Sequence, residues 1–335
     1  MGRTRLWQAI WDGLPWDYGR VPREKRAPTR RQSHRVPSSH FTGREAELLA
    51  LRRQFRSGTP MARKLVIVGL GGIGKTELAL AYCERRCAEY DAVFWVPASS
   101  ETAIESGFLD IARKLEMPVA EGTPSDETLR EVQKWLANDS NYLLVLDDVE
   151  RFADVQAMLP RGAGGHLLIT TRIHDTGEWD TDAPVVLEPL TLAESTAFLL
   201  ARSGRTAAGP QARTEAEALA RELDGLPLAL DQAGAYLETH ARTGIEEYRQ
   251  DFLRRRLEIF RDRPRATTTE QAQLEIVTTT WTKSLEMASR YKSAEPLFLQ
   301  WSLLAPDPIP FDFAENRFLP NPLQPLEALY TYSLV

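Results

Sequence analysis

Apolar residues gather into short runs: Leu65-Val66-Ile67-Val68, Ala92-Val93-Phe94-Trp95-Val96, Tyr142 to Leu146 and His166-Leu167-Leu168-Ile169-Thr170. Continuous runs this short predict strands buried on both faces of a sheet. Between them the apolar positions recur at helical spacing. Residues 101–116 read as one helix and residues 126–138 as another, with Leu129, Val132 and Leu136 on a single face. A short helix over 151–159 and a strand at Val185-Val186-Leu187 continue the alternation. Strands alternating with helices predict a parallel sheet covered on both faces. Beyond residue 190 only the helical period remains, over 191–203, 211–223, 227–239 and 244–260. Thr191 with Glu194 makes a capping box, and Pro227 suits a first helical turn. A charged, Thr-rich stretch over 261–273 marks a further boundary. More helix follows, carrying Trp281, Leu285, Leu297, Phe298 and Trp301, and then a proline-rich passage.

Upstream, Phe41-Thr42-Gly43-Arg44-Glu45 opens a helix, with Thr42 as N-cap and Glu45 three residues on. Residues 1–20 carry Trp7, Trp11 and Trp16, and residues 20–38 turn to Pro, Arg and Ser, the composition of a linker. The expected organisation is therefore a Trp-containing segment and basic linker (1–40), an α/β domain (41–190), a helical domain (191–265) and a last helical part (266–335).

Composition narrows the class. A chain of 335 residues with 43% hydrophobic and 26% charged residues belongs with ordinary globular proteins of two or three domains. No apolar stretch is long enough for a membrane helix, and no secretory leader pattern opens the chain. The two cysteines, Cys83 and Cys87, make no disulfide framework, which fits a reduced, cytoplasmic protein. Charge is divided: residues 1–40 carry a net +6 and the remainder −12. An acidic body argues against broad nucleic-acid binding, and the proline-interrupted basic segment reads as solvated chain.

The chemistry concentrates at Gly69-Leu70-Gly71-Gly72-Ile73-Gly74-Lys75-Thr76, a complete G-x-x-x-x-G-K-[ST] loop between a strand and a helix that begins at Glu77. Glycines let successive backbone N–H groups turn around an anion, and the helix N-terminus adds partial positive charge. Lys75 is placed to reach β- and γ-phosphates, and the Thr76 hydroxyl to sit on Mg2+. The strand Leu143-Leu144-Val145-Leu146 delivers Asp147 and Asp148 at its carboxyl end, where parallel sheets bind ligands. Asp147 suits the Mg2+ shell, and Asp148 the positioning or activation of an attacking water. Thr170-Thr171-Arg172 ends the next strand, directing Arg172 at a γ-phosphate. Gly225-Leu226-Pro227-Leu228-Ala229-Leu230, on spacing alone, is a helix start packed in a core.

Taken in order, these pieces resemble the NB-ARC family of STAND NTPases, signal-transducing ATPases with numerous domains. The likeness spans residues 40–335. Phe41 to Glu45 is similar to the family's hhGRE motif, whose backbone lies near the adenine, which brings Phe41 and Arg44 to the base. Gly69, Gly71, Gly72, Ile73, Gly74, Lys75, Thr76 and Glu77 fall on the phosphate-loop motif, Asp147 and Asp148 on the second nucleotide motif, and Arg172 on the sensor arginine. Pro227 falls on the proline of the GLPLAL motif, which packs on the base in relatives. Thr279-Thr280-Trp281 and Trp301 to Pro306 resemble the repeat-bearing bacterial and fungal branch near its winged-helix domain.

The resemblance implies a P-loop NTPase parallel sheet sandwiched by helices, then a helical domain and a partial winged-helix domain. It implies ATP or ADP with Mg2+, slow hydrolysis, self-association in the ATP state, and an effector and a sensor supplied elsewhere. In relatives a histidine on the β-phosphate of ADP follows soon after the position of Val335; its lock is expected to be missing here. A P-loop kinase, a motor-type ATPase and a scaffold stabilised by nucleotide remain alternatives.

Overall fold

Leu65 and Ile67 point to one side of their strand, Val66 and Val68 to the other, and all four are buried. That period-2 split organises the molecule. The structure, a computed structural model, describes residues 30–31, 36–56, 63–117, 126–138, 141–156, 158–159, 165–179, 181, 183–206, 209–259, 269–291, 294–301 and 329. Among them, strands β1 (Arg30–Arg31), β2 (Arg63–Val68), β3 (Ala92–Pro97), β4 (Tyr142–Val149), β5 (His166–Thr171) and β6 (Val185–Val186) form one sheet. Their order is β1-β3-β4-β5-β2-β6 and every pairing is parallel.

Helices α1 (Glu45–Arg56) and α2 (Lys75–Arg86) lie on the face with Leu65, Ile67, Val93, Val145 and Leu168. Helices α3 (Glu101–Lys114) and α4 (Asp126–Asn138), with the short α5 (Phe152–Gln156), cover Val66, Phe94, Leu144 and Ile169. Both faces are apolar and both are covered, as the uninterrupted apolar runs predict. The first of these cores continues into α6 (Leu192–Arg202), α7 (Pro210–Glu222), α8 (Pro227–Thr239), α9 (Ile245–Ile259), α10 (Thr269–Ala288) and α11 (Ala294–Trp301). The capping box expected at Thr191 and Glu194 is formed, and Pro210 and Pro227 open their helices. No described helix is long and apolar enough to cross a membrane.

Several boundaries differ from the expectation: α1 starts at Glu45 and the Thr42 hydroxyl donates to the His40 carbonyl rather than capping it, and α2 starts at Lys75, two residues early. Within the segment read as a linker, Arg30–Arg31 pair with Ala92 and Val93 at the sheet edge. An open strand edge offers backbone groups that any residue can bond, so no side-chain pattern announces such a strand. Strand β4 runs on through both aspartates to Val149, with a register shift between Leu146 and Val149. Helix α5 ends at Gln156, short of 159. The Trp-containing start and the winged-helix part beyond Trp301, Leu329 apart, lie outside the described residues.

Candidate functional site

Because β2 lies beside β5, and β5 beside β4, three strand ends meet at one edge of the sheet. The loop leaving β2 turns on Gly72 (φ 76°) and Gly74 (φ 94°), left-handed conformations that glycine adopts without penalty. Gly74 is the N-cap of α2. Lys75 is buried and its ammonium donates to the carbonyls of Gly69 and Leu70, at 2.9 Å each. Burial lowers its pKa first and the nearby Arg172 lowers it further, against the raising effect of Asp148 and Asp147.

Across the loop, the Thr76 hydroxyl donates to Asp147 Oδ1 at 2.9 Å. The Thr170 hydroxyl donates to the same oxygen at 2.6 Å, and accepts the Asp148 backbone N–H at 2.8 Å. Thr170 is fully buried and Asp147 nearly so. Asp148 sits at φ 61°, on the shifted part of β4, so consecutive carboxylates diverge. Asp148 turns toward Arg172, 3.7 Å away. Arg172 is exposed and Asp148 half-buried, so this long ion pair is weakened by solvent and Arg172 remains available. The Arg172 guanidinium lies 3.7 Å from where a Gly71 Cβ would stand, so it overhangs the loop.

The helical part closes the other side. The Leu228 N–H donates to the Gly72 carbonyl at 3.3 Å, and Pro227 lies against Gly74. The hhGRE turn packs nearby: Phe41 is partly buried on the core under the Arg85 guanidinium, and Arg85 pairs with both oxygens of Glu45. Glu77 accepts the Ser38 N–H at 2.7 Å, holding the incoming chain on the first turn of α2. Arg44 is buried; it bonds Glu47 and the carbonyls of Ile73 and Glu188.

A hydroxyl from Thr76 and a carboxylate from Asp147, already at hydrogen-bond distance, are two hard oxygen donors of the kind Mg2+ takes beside phosphate oxygens and water. The residues therefore fit the ion. No cluster of three or more His, Cys, Asp or Glu suited to a metal occurs among the described residues.

Sequence reasoning named Lys75, Thr76, Asp147, Asp148, Arg172 and Pro227, and the structure gathers all six around the loop. It missed the Thr170 hydroxyl, and it missed Glu194 and the Glu188 carbonyl as partners of the hhGRE turn. A Thr at a strand end one strand over from the aspartate was a usable signal for the first. Backbone carbonyls leave none.

The profile of the NB-ARC domain matches residues 52–207, which contain the phosphate loop, Asp147 and Arg172. The chain carries an NB-ARC domain. An NLR-like protein of the fungus Hyaloscypha variabilis is 25% identical over 289 residues, 79% of this chain and 27% of that protein. Disease resistance RPP13-like protein 4 of Arabidopsis thaliana is 28% identical over 221 residues, 60% of this chain and 26% of that protein. The chain thus spans about a quarter of the length of these curated relatives. Among solved structures, a signal transduction ATPase with numerous domains and a tetratricopeptide repeat sensor, from Pyrococcus horikoshii, superposes with a TM-score of 0.54. The superposition covers 93% of this chain and 41% of that one at 17% identity, a likeness of fold. The matched segment is thus a P-loop NTPase unit by family, and its fold is that of the solved ATPase.

Proposed function

We propose that this chain is an adenine-nucleotide switch core, with slow ATP hydrolysis and nucleotide-controlled self-association, in regulatory or defence signalling. The observation that carries the reading is the seating of the phosphate loop. On one side it faces Asp147 and Arg172, and on the other it is bonded by Leu228 at the start of α8. A loop gripped by the helical part turns a change of phosphate occupancy into a change of helical docking.

In this reading Lys75 leaves the Gly69 and Leu70 carbonyls for the β- and γ-phosphates, and the loop amides hold the β-phosphate. Thr76 and Asp147 would hold Mg2+, which when bound neutralises phosphate charge and orients the polyphosphate. Arg172 contacts the γ-phosphate and so separates ATP from ADP. Asp148 orients water near Arg172. Pro227 and the backbone of Phe41 to Arg44 flank the base. Relatives named for disease resistance support the signalling assignment.

Magnitudes favour a switch that needs partners. Moving a population from 1:99 to 99:1 takes about 5.5 kcal/mol of differential affinity. One arginine on the γ-phosphate supplies roughly 1.5–3 kcal/mol. Contacts between copies, an effector and a sensor element would supply the rest. The test pairs steady-state ATPase assays with size-exclusion chromatography in ADP and in ATP. Slow turnover with larger species in ATP is expected. Turnover of about 10 s⁻¹ or more, typical of metabolic enzymes, would refute the switch.

A further inference from the structure

Arg44 carries an arrangement that the nucleotide chemistry does not explain. It follows Gly43 in a turn where both residues are left-handed, at φ 75° and 66°. A Cβ on Gly43 would stand 2.5 Å from the Glu194 carboxylate, which would have to swing away, and the left-handed backbone itself favours glycine there. Glu194 accepts the Thr191 N–H and hydroxyl at the start of α6, and its carboxylate lies against Gly43. The turn is thereby pinned to the first residues of the helical part.

The Arg44 side chain then reaches both ways. One guanidinium nitrogen donates to the Ile73 carbonyl in the phosphate loop (3.3 Å) and to the Glu188 carbonyl between β6 and α6 (2.7 Å). The other donates to Glu47 at 2.9 Å. Two more backbone bonds complete a circuit. Leu190 N–H donates to the Gly225 carbonyl at 3.0 Å, and Leu228 N–H to the Gly72 carbonyl at 3.3 Å. Around this ring the loop holds Arg44, Arg44 holds 188–190, that strip holds Gly225, and Leu228 returns to the loop. Gly72 and Ile73 are adjacent, so the helical part grips the loop at two neighbouring peptides through two independent routes.

We propose that the Arg44 side chain is a positioning group that relays the conformation of the phosphate loop to the 188–190 strip, while only the backbone of this turn faces the nucleotide. The inference rests on the switch reading. A bound polyphosphate reorients the peptides from Gly69 to Gly74. The Ile73 carbonyl moves with them, and a buried cation bonded to two carbonyls cannot follow one without pulling the other. Lys75 and Arg172 sense the phosphates, whereas Arg44 transmits.

Hydrogen–deuterium exchange on the purified chain, with and without ADP, tests this at single amides. In the wild type, ADP is expected to slow exchange by about tenfold at the Leu190 and Leu228 amides, both of which close the ring. In Arg44→Gln the Leu228 amide, on the direct route, keeps its response, while the Leu190 response falls to about twofold or less. Glu47→Gln, which spares both carbonyl bonds, behaves as wild type. If Arg44→Gln does not fold, Glu194→Ala removes the carboxylate against which the turn packs without removing the cation, and it too must shrink the Leu190 response more than the Leu228 response. A wild-type Leu190 response in Arg44→Gln overturns the proposal. So does an equal loss at both amides, which marks a ligand or a merely structural residue. A wild-type chain that binds no ADP would instead sink the switch reading beneath it.

Discussion

Replacing Thr170 by Val tests the site at the residue that organises its carboxylate. The hydroxyl is fully buried, donates to Asp147 Oδ1 at 2.6 Å and accepts the Asp148 N–H at 2.8 Å. Valine keeps the shape and removes both bonds. Without nucleotide, Thr76 also donates to Asp147 Oδ1. A hydroxyl that lends a lone pair to Mg2+ keeps its O–H, so Thr76 can still donate to Asp147, and Thr170 is the second, fully buried hydroxyl that orients the carboxylate. A hydrogen bond to a charged group is worth about 1.5–3 kcal/mol. At about 1.4 kcal/mol per tenfold, Mg2+-dependent ATP affinity should fall by roughly 10–100-fold, the usual loss when a residue supporting a metal ligand is removed. The Asp148 N–H, deprived of its acceptor, should cost a further ~1 kcal/mol or more of stability. The assay is calorimetric titration of ATP with Mg2+ and of ADP in chelator, with Thr170→Ser as the control that keeps the hydroxyl. ADP binding in chelator should change by no more than about threefold, since the Mg2+ ligands are idle there. An unchanged Mg2+ dependence in Thr170→Val would refute the account of Asp147.

Other consequences concern stability. His166 accepts or donates at Nδ1 to the Tyr90 hydroxyl and stacks on Phe55; burial, then Arg63, pushes its pKa down to about 4. Its neutral form is favoured in the fold, so the contribution is complete above the unfolded value near 6.5 and is lost as pH falls toward 4. The loss amounts to up to about 3 kcal/mol, less after solvent screening of the part-exposed ring. Urea midpoints against pH should show this slope, and His166→Gln should flatten it. Gln232, fully buried on α8, has neither amide atom hydrogen-bonded to a described residue, so Gln232→Leu should stabilise by about 1–2 kcal/mol in thermal unfolding. Gly72→Ala forces a left-handed alanine whose Cβ meets Leu228 at 3.0 Å, and should cost about 1–2 kcal/mol.

The parts legible in sequence are those whose chemistry dictates both residue type and spacing. Lys75 and Thr76 follow a glycine loop because nothing else supplies amides, ammonium and hydroxyl together, and Asp147 ends an apolar run because parallel strands present ligands there. The buried strands were legible for the same reason, since being covered on both faces leaves an uninterrupted apolar signature. What escaped was long-range and carried by backbone. Arg44 meets a carbonyl 144 positions away, and any residue at 188 supplies a carbonyl. The register shift that splits Asp147 from Asp148 leaves no mark on residue type, and a two-residue edge strand at Arg30–Arg31 needs only free backbone groups. Thr170 lay in plain view inside the Thr-Thr-Arg triplet, but only pairing β4 with β5 puts its hydroxyl on Asp147.

The central claim is that this chain binds an adenine nucleotide through Lys75, and one measurement addresses it most directly. The purified protein is denatured to identify any released nucleotide, then ADP and ATP are titrated with Mg2+ into the nucleotide-free wild type and Lys75→Ala. The account predicts adenine nucleotide in the release, saturable binding of both ligands by the wild type, and loss of at least about 100-fold in affinity in Lys75→Ala, the order expected when a buried charge-assisted phosphate contact is removed. Absence of binding in the folded wild type, or equal binding by Lys75→Ala, would contradict it.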